Sequence, residues 1–135
     1  MKVDGACHCG AIAFEADIDP DKVRICHCTD CQRLSGAPFR VVAPCPEQQF
    51  NLLKGEPKIY VKTAESGRPR QQAFCSHCGS SIYATSDEPA GTRSFGLRIG
   101  ILSQRNQLVP KRQFWLRSAL PWLPSLPGHA EMENG

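Results

Sequence analysis

Three short cysteine clusters carry the chemistry legible in this sequence. Cys7-His8-Cys9-Gly10 is a C-x-C, Cys26-His27-Cys28-Thr29-Asp30-Cys31 a C-x-C-x-x-C, and Cys75-Ser76-His77-Cys78-Gly79 a C-x-x-C-G. Two thiolates one or two residues apart on a tight turn reach a single ion, and a glycine after the turn admits the backbone conformation required. Soft sulfur donors favour Zn²⁺ ahead of Cu(I) or an iron–sulfur cluster. Seven of the eight cysteines fall in these clusters, a grouping that points to metal ligation over disulfides. At about 6% of 135 residues, cysteine also stays below the ~8–10% of small secreted disulfide scaffolds.

Seven ligands divide as four plus three. A closed tetrahedral four-Cys site holds structure, whereas a three-ligand site keeps a fourth position for water or substrate. Only the C-x-C-x-x-C cluster supplies three ligands locally. That favours Cys26, Cys28 and Cys31 as the open set and Cys7, Cys9, Cys75 and Cys78 as the closed one. The alternative partition is a zinc ribbon of Cys28, Cys31, Cys75 and Cys78, which leaves Cys7, Cys9 and Cys26 over. His8, His27 and His77 each adjoin a ligand cysteine and could serve as a fourth ligand or a proton relay. A solvent-facing spacer on a tight turn is the simpler expectation for each. Cys45, between Pro44 and Pro46, reads as a small buried hydrophobe.

Three thiolates on Zn²⁺ carry one net negative charge. Water bound there is less acidic than at a three-His site, where its pKa is about 7. A soft sulfur ligand suits the open position better, because zinc deprotonates a coordinating thiol. Thiolate attack on a carbonyl, or release of a carbonyl from a thiohemiacetal, is the chemistry that follows. An anionic thiol such as glutathione requires cationic neighbours. Arg24, Arg33 and Arg40 flank the second cluster, and Lys62, Arg68 and Arg70 precede the third. Arg33, two residues beyond Cys31, is the foremost candidate to hold substrate carboxylates.

Short strands must position these clusters. Alternation at Ile12, Phe14 and Ala16 predicts a half-buried strand. Further strands are predicted over Pro38–Ala43, Lys58–Thr63, Arg70–Phe74, Ser81–Thr85 and Ser94–Leu102, punctuated by Gly and Pro. Thr29 is a candidate cap for one helical turn, Asp30 to Leu34, halted by Ser35-Gly36. After Pro110 an apolar stretch from Phe114 to Leu126 is broken by Pro121 and Pro124. It cannot be one long helix, and is expected as a strap across the sheet or a subunit contact in a homodimer.

The expected organisation is a single β domain over 1–127 and a flexible C-terminal tail over 128–135. The 135 residues, 41% apolar and 21% charged, are globular in composition. No run approaches the ~18–20 apolar residues of a membrane span, and no export leader is visible, so a cytoplasmic setting is expected. A formal charge of +3 with 7% aromatic residues makes a poor nucleic-acid surface.

The stretches Gly5–Gly10, Cys26–Phe39 and Phe74–Gly79 resemble the glutathione-dependent formaldehyde-activating enzyme family, which includes centromere-protein-V-like proteins. The likeness runs from about Gly5 to Leu126. It implies an all-β fold of zinc-stapled antiparallel sheets with Mss4-like architecture. It implies two zinc ions per chain, a structural one on Cys7, Cys9, Cys75 and Cys78 and a catalytic, more easily lost one on Cys26, Cys28 and Cys31. It further implies a carbon–sulfur lyase that joins formaldehyde to glutathione, giving S-(hydroxymethyl)glutathione. Many relatives show Gly-x-Leu-Asp where this chain has Gly100-Ile101-Leu102-Ser103, so any role of that Asp is absent. The competing expectation is a non-catalytic zinc-stabilised module that binds protein or nucleic acid.

Overall fold

Period-two burial along short strands builds two sheets in the computed structural model of the protein, which describes residues 1–124 and 130–131. In chain order the strands are β1 (Lys2–Ala6), β2 (Ala13–Asp17), β3 (Arg24–Cys26), β4 (Arg40–Pro46), β5 (Phe50–Lys54), β6 (Lys58–Thr63), β7 (Pro69–Phe74), β8 (Ser81–Ser86), β9 (Ser94–Arg98), β10 (Arg112–Phe114) and β11 (Ala130–Glu131). The one α-helix among the described residues, α1, spans Thr29–Ser35. A three-stranded sheet has the order β1-β2-β5, and the larger sheet the order β11-β10-β3-β4-β9-β8-β7-β6. Pairing is antiparallel except at one edge, where β10 runs parallel to β3 and to β11.

The core joins inward-facing side chains of both sheets. Val3, Phe14 and Ala16 of the small sheet pack in one cluster with Ala43, Cys45, Phe95, Leu97 and Ala73 of the large one. Phe14 is 1% exposed, a burial that contributes about 1.5–3 kcal/mol. On β4 the alternation is plain: Val41, Ala43 and Cys45 join the core, while Arg40, Val42 and Pro44 take the opposite face. β1 is also held by the far end of the chain. Gly5 bridges Leu102, the Asp4 carbonyl accepts from the Ser103 N–H at 2.8 Å, and the Ser103 hydroxyl donates to the Asp4 carboxylate at 2.8 Å.

The expected all-β class holds, and β6 has the predicted bounds. β4 starts at Arg40, two residues after the predicted start, and β9 ends at Arg98, where a 3₁₀ turn over Ile99–Ile101 takes over. α1 is capped by Cys28 instead of Thr29, because the Cys28 sulfur accepts the Cys31 N–H at 3.2 Å. The stretch after Pro110 begins as strand β10, between β3 and β11. Leu126 and most of the expected tail, 125–129 and 132–135, lie outside the described residues, while Ala130 and Glu131 pair with Arg112 and Gln113. No helix among the described residues is long and apolar enough to cross a membrane.

Candidate metal centres and active site

Two tight turns on different sheets bring the first four cysteines together. Cys7 and Cys9 lie between β1 and β2, Cys75 and Cys78 between β7 and β8. The Gly10 N–H returns to the Cys7 carbonyl at 3.1 Å and the Gly79 N–H to the Cys75 carbonyl at 2.8 Å. Both glycines have a positive φ, 82° and 78°, which a side chain would strain. All four sulfurs lie within 4.8 Å of one another. Cys7 Sγ to Cys9 Sγ is 3.7 Å and Cys9 Sγ to Cys75 Sγ 3.8 Å. A tetrahedral zinc with Zn–S bonds of about 2.3 Å has sulfur–sulfur edges of about 3.8 Å. The quartet therefore fits a closed four-thiolate zinc site. The Ser80 hydroxyl, 3.2 Å from Cys78 Sγ, helps hold that thiol down at about 5.

The second cluster is local. β3 ends at Cys26, Cys28 caps α1, and Cys31 sits in its first turn, with the three sulfurs within 4.8 Å of one another. Hydrogen bonds from the Cys26 and Cys31 thiols, with that from the Cys31 N–H, pull Cys28 down to about 2. Its bond to Cys28 pushes the Cys26 thiol far up. The trio thus shares its protons as a unit, with the anion centred on Cys28. Three soft sulfurs suit Zn²⁺, and among the described residues no fourth Cys, His, Asp or Glu ligand atom joins the group. All three cysteines line a cavity of about 750 Å³.

That cavity stands on one face of the large sheet. Its floor includes Arg24, Arg40, Gln72, Gly96 and Arg98, and Phe114, Trp115 and Arg117 complete one wall. Trp115 adopts a left-handed backbone, φ 59°, unusual for a bulky residue. Its ring lies under the Arg117 guanidinium, 4.7 Å from the centroid. Lys62 Nζ donates to Asp30 at 2.7 Å and Arg117 Nη2 to Glu65 at 2.9 Å.

Comparison with known proteins gives a match between residues 2–118 and the family model described as glutathione-dependent formaldehyde-activating enzyme. The chain belongs to the glutathione-dependent formaldehyde-activating enzyme family. A Halomonas elongata protein named "Putative glutathione-dependent formaldehyde-activating enzyme" is 25% identical over 87 residues, covering 62% of this chain and 55% of that protein. An "Uncharacterized lyase" of Schizosaccharomyces pombe is 29% identical over 84 residues, covering 59% and 55%. The chain thus spans little more than half the length of these relatives. A crystal structure of a Rhodobacter sphaeroides protein has the same fold, with a TM-score of 0.57 at 20% identity, covering 74% of this chain and 87% of that one.

Within this family member the four-plus-three partition brings together the sulfurs that local chelation favoured, and the ribbon partition does not form. Arg33 is placed elsewhere. It is exposed and stays off the cavity lining. On a helix two residues turn about 200°, so a side chain two past Cys31 points away from the cavity. Arg24, Arg40, Lys62 and Arg70 do line it. His8 and His77 are exposed as expected, but His27 is 3% exposed, its Nε2 2.8 Å from Gln113 Oε1 and its ring off the cavity. Cys45 is fully buried, and burial pushes its thiol up to about 11. Sequence reasoning missed Arg98, Gln72 and the Phe114–Arg117 wall. An Arg-x-Cys, an Arg-x-Val, an Arg-x-Gln and a Gly-x-Arg on β3, β4, β7 and β9 were the available signal, each placing a cation at a period-two position.

Proposed function

We propose that this chain is a zinc-dependent carbon–sulfur lyase that makes or breaks a thiohemiacetal-type adduct, with glutathione and formaldehyde as the leading pair. The observation that carries this reading is the cysteine trio, with three sulfurs within 4.8 Å, no fourth protein ligand among the described residues, and an opening onto a cationic cavity. Zinc held by Cys26, Cys28 and Cys31 supplies a Lewis-acid position that accepts a soft sulfur ligand. The chain's own groups do the rest. The Cys31 N–H donates to Cys28 Sγ at 3.2 Å, and Lys62, fixed by Asp30, adds positive charge near it. Arg24 and Arg70, both half-buried at the cavity, hold the carboxylates of the thiol. The sulfur bonds to the carbonyl carbon, and the thiol proton ends on the carbonyl oxygen by exchange through the cavity. His27 takes no part, since its ring is engaged by Gln113.

The cations converge in an enclosed space, an arrangement suited to a small anion more than to a nucleic-acid surface, which favours a small thiol partner over a scaffold role. The test is exchange NMR on glutathione and formaldehyde with protein carrying two zinc ions per chain. Acceleration over the spontaneous reaction is expected. None at full zinc loading overturns this substrate pair.

A further inference from the structure

Cys26 pairs with Arg40 across β3 and β4, and the next row runs Arg24, Val42, Arg98 across β3, β4 and β9. Directly paired residues share a face of a sheet, so the cysteine and the arginines look into the same space. Arg40 and Arg98 form its deepest part, 7% and 8% exposed. Both donate to a single acceptor, Gln72 Oε1, at 3.3 and 3.1 Å. Arg98 gives its other donors to Ser81 Oγ at 3.2 Å and the Gly96 carbonyl at 3.3 Å. Arg40 Nε and Nη2 are buried with no partner. A buried guanidinium met only by neutral acceptors is strongly destabilising until an anion pairs with it.

The cavity's own acids do not supply that anion. Asp30 is taken by Lys62 and Glu65 by Arg117, which leaves Arg24, Arg40, Arg70 and Arg98 with no ion pair among the described residues, Arg70 feeling Glu88 and Asp87 only at longer range. Three thiolates with a divalent ion carry one net negative charge and offset one of the four. Glutathione bound as thiolate brings two more. The buried Arg40 donors are still left unanswered, and formaldehyde, being neutral, does not pair with them. Position says where the remaining anion belongs. The carboxylates of a tripeptide thiol sit at its far ends, remote from the sulfur. Arg40 is the immediate cross-strand neighbour of a ligand cysteine, a place reached by an anionic group on the reacting carbon itself.

We infer that the carbonyl partner is a 2-oxo acid, whose carboxylate pairs with Arg40 while Gln72 and Arg98 fix the pose of that guanidinium. This rests on the thiol–carbonyl reading above. The bond changes are those of hemithioacetal formation: the sulfur–carbon bond forms, the carbonyl π bond opens, and the thiol proton ends on the oxygen. The carboxylate is bound unchanged, and no electron donor or acceptor enters.

Two stable thioethers isolate the extra charge. S-(carboxymethyl)glutathione carries a carboxylate on the carbon joined to sulfur, and S-methylglutathione lacks it. In isothermal titration of the zinc-loaded protein the first is expected to bind about tenfold tighter or more. Arg40→Gln should abolish that preference and leave S-methylglutathione within about threefold. Equal affinities of the wild-type chain for the two thioethers overturn the proposal, whether or not the variant folds. Exchange NMR with glyoxylate and with formaldehyde separates the two readings. Accelerated formaldehyde exchange without the carboxymethyl preference removes only the 2-oxo acid. Failure of both thioethers to bind and of both carbonyls to react faster removes the thiol–carbonyl chemistry as well.

Discussion

Cys9 Sγ lies 3.8 Å from Cys75 Sγ across 66 residues of chain, so the closed quartet ties a loop of the small sheet to a loop of the large one. The open trio ties only neighbours within a few residues. Substitutions at the two sites should therefore differ in kind. Cys75→Ser removes a fully buried ligand, and loss of a structural zinc worth ~10–16 kcal/mol exceeds the ~5–15 kcal/mol of a typical domain. That variant is expected to be unfolded by circular dichroism. Cys28→Ser should retain the fold, hold one zinc per chain instead of two, and lose at least a hundredfold in adduct exchange. An unfolded Cys28→Ser protein would show the trio to be structural.

Graded chelation should separate the ions in time. The trio faces the cavity with three protein ligands, and the quartet is sealed by four. The first equivalent of zinc should leave with activity and without change in the far-ultraviolet spectrum, the second with cooperative unfolding. Simultaneous loss of both would mean that the sites are energetically one.

His27 is predicted to act as a packing and hydrogen-bonding residue. His27→Leu leaves the Gln113 amide oxygen buried without its donor, at a cost of about 1–3 kcal/mol in urea unfolding. The pH profile of exchange should keep its shape and the rate should stay within about twofold, whereas a proton relay would lose about 10²–10⁴-fold.

Ser103 closes the Gly100-Ile101-Leu102-Ser103 stretch, and its hydroxyl donates to Asp4. Bonds from Gln104 and Ser103 hold the Asp4 carboxyl below its ordinary 3.8. A carboxylate with a depressed folded pKa contributes stability above its unfolded value and loses it as pH falls through the lower folded one. Ser103→Asp sets a second carboxylate against it. Repulsion raises a folded carboxyl pKa, so the variant should melt below wild type by a constant margin at pH 6 to 8, and the margin should narrow as pH falls toward about 4. Asp4→Asn should rescue it at pH 7. A margin unchanged in the Asp4→Asn background would place the cause elsewhere.

The metal sites were legible because their information is local. A C-x-C-x-x-C can gather three sulfurs on one ion whatever surrounds it, which favours that trio, whereas the ribbon partition is excluded only once the fold brings Cys7, Cys9, Cys75 and Cys78 together. Strands such as Lys58–Thr63 were legible from composition and their flanking glycines. β3 and β10, three residues each, are too short to show a period. Arg33 was misplaced because proximity in sequence was read without helical phase. Arg98 was invisible because its neighbours are set by register, which pairs it with Val42 on a strand some fifty residues earlier. His27 is buried because β10 returns from far along the chain to lie beside β3. Long-range pairing, in each case, decided what the local pattern could not.

The bridge from Gly5 to Leu102 also bears on how the molecule is made. A ribosome delivers β1 before β2, yet the residue that bridges its outer side follows only 97 residues after Gly5. Until Cys75 and Cys78 follow, the nascent polypeptide holds Cys7 and Cys9 as open thiols beside an unfinished edge. Those sulfurs must stay reduced, and the strand clear of other edges, until the later segments have been made.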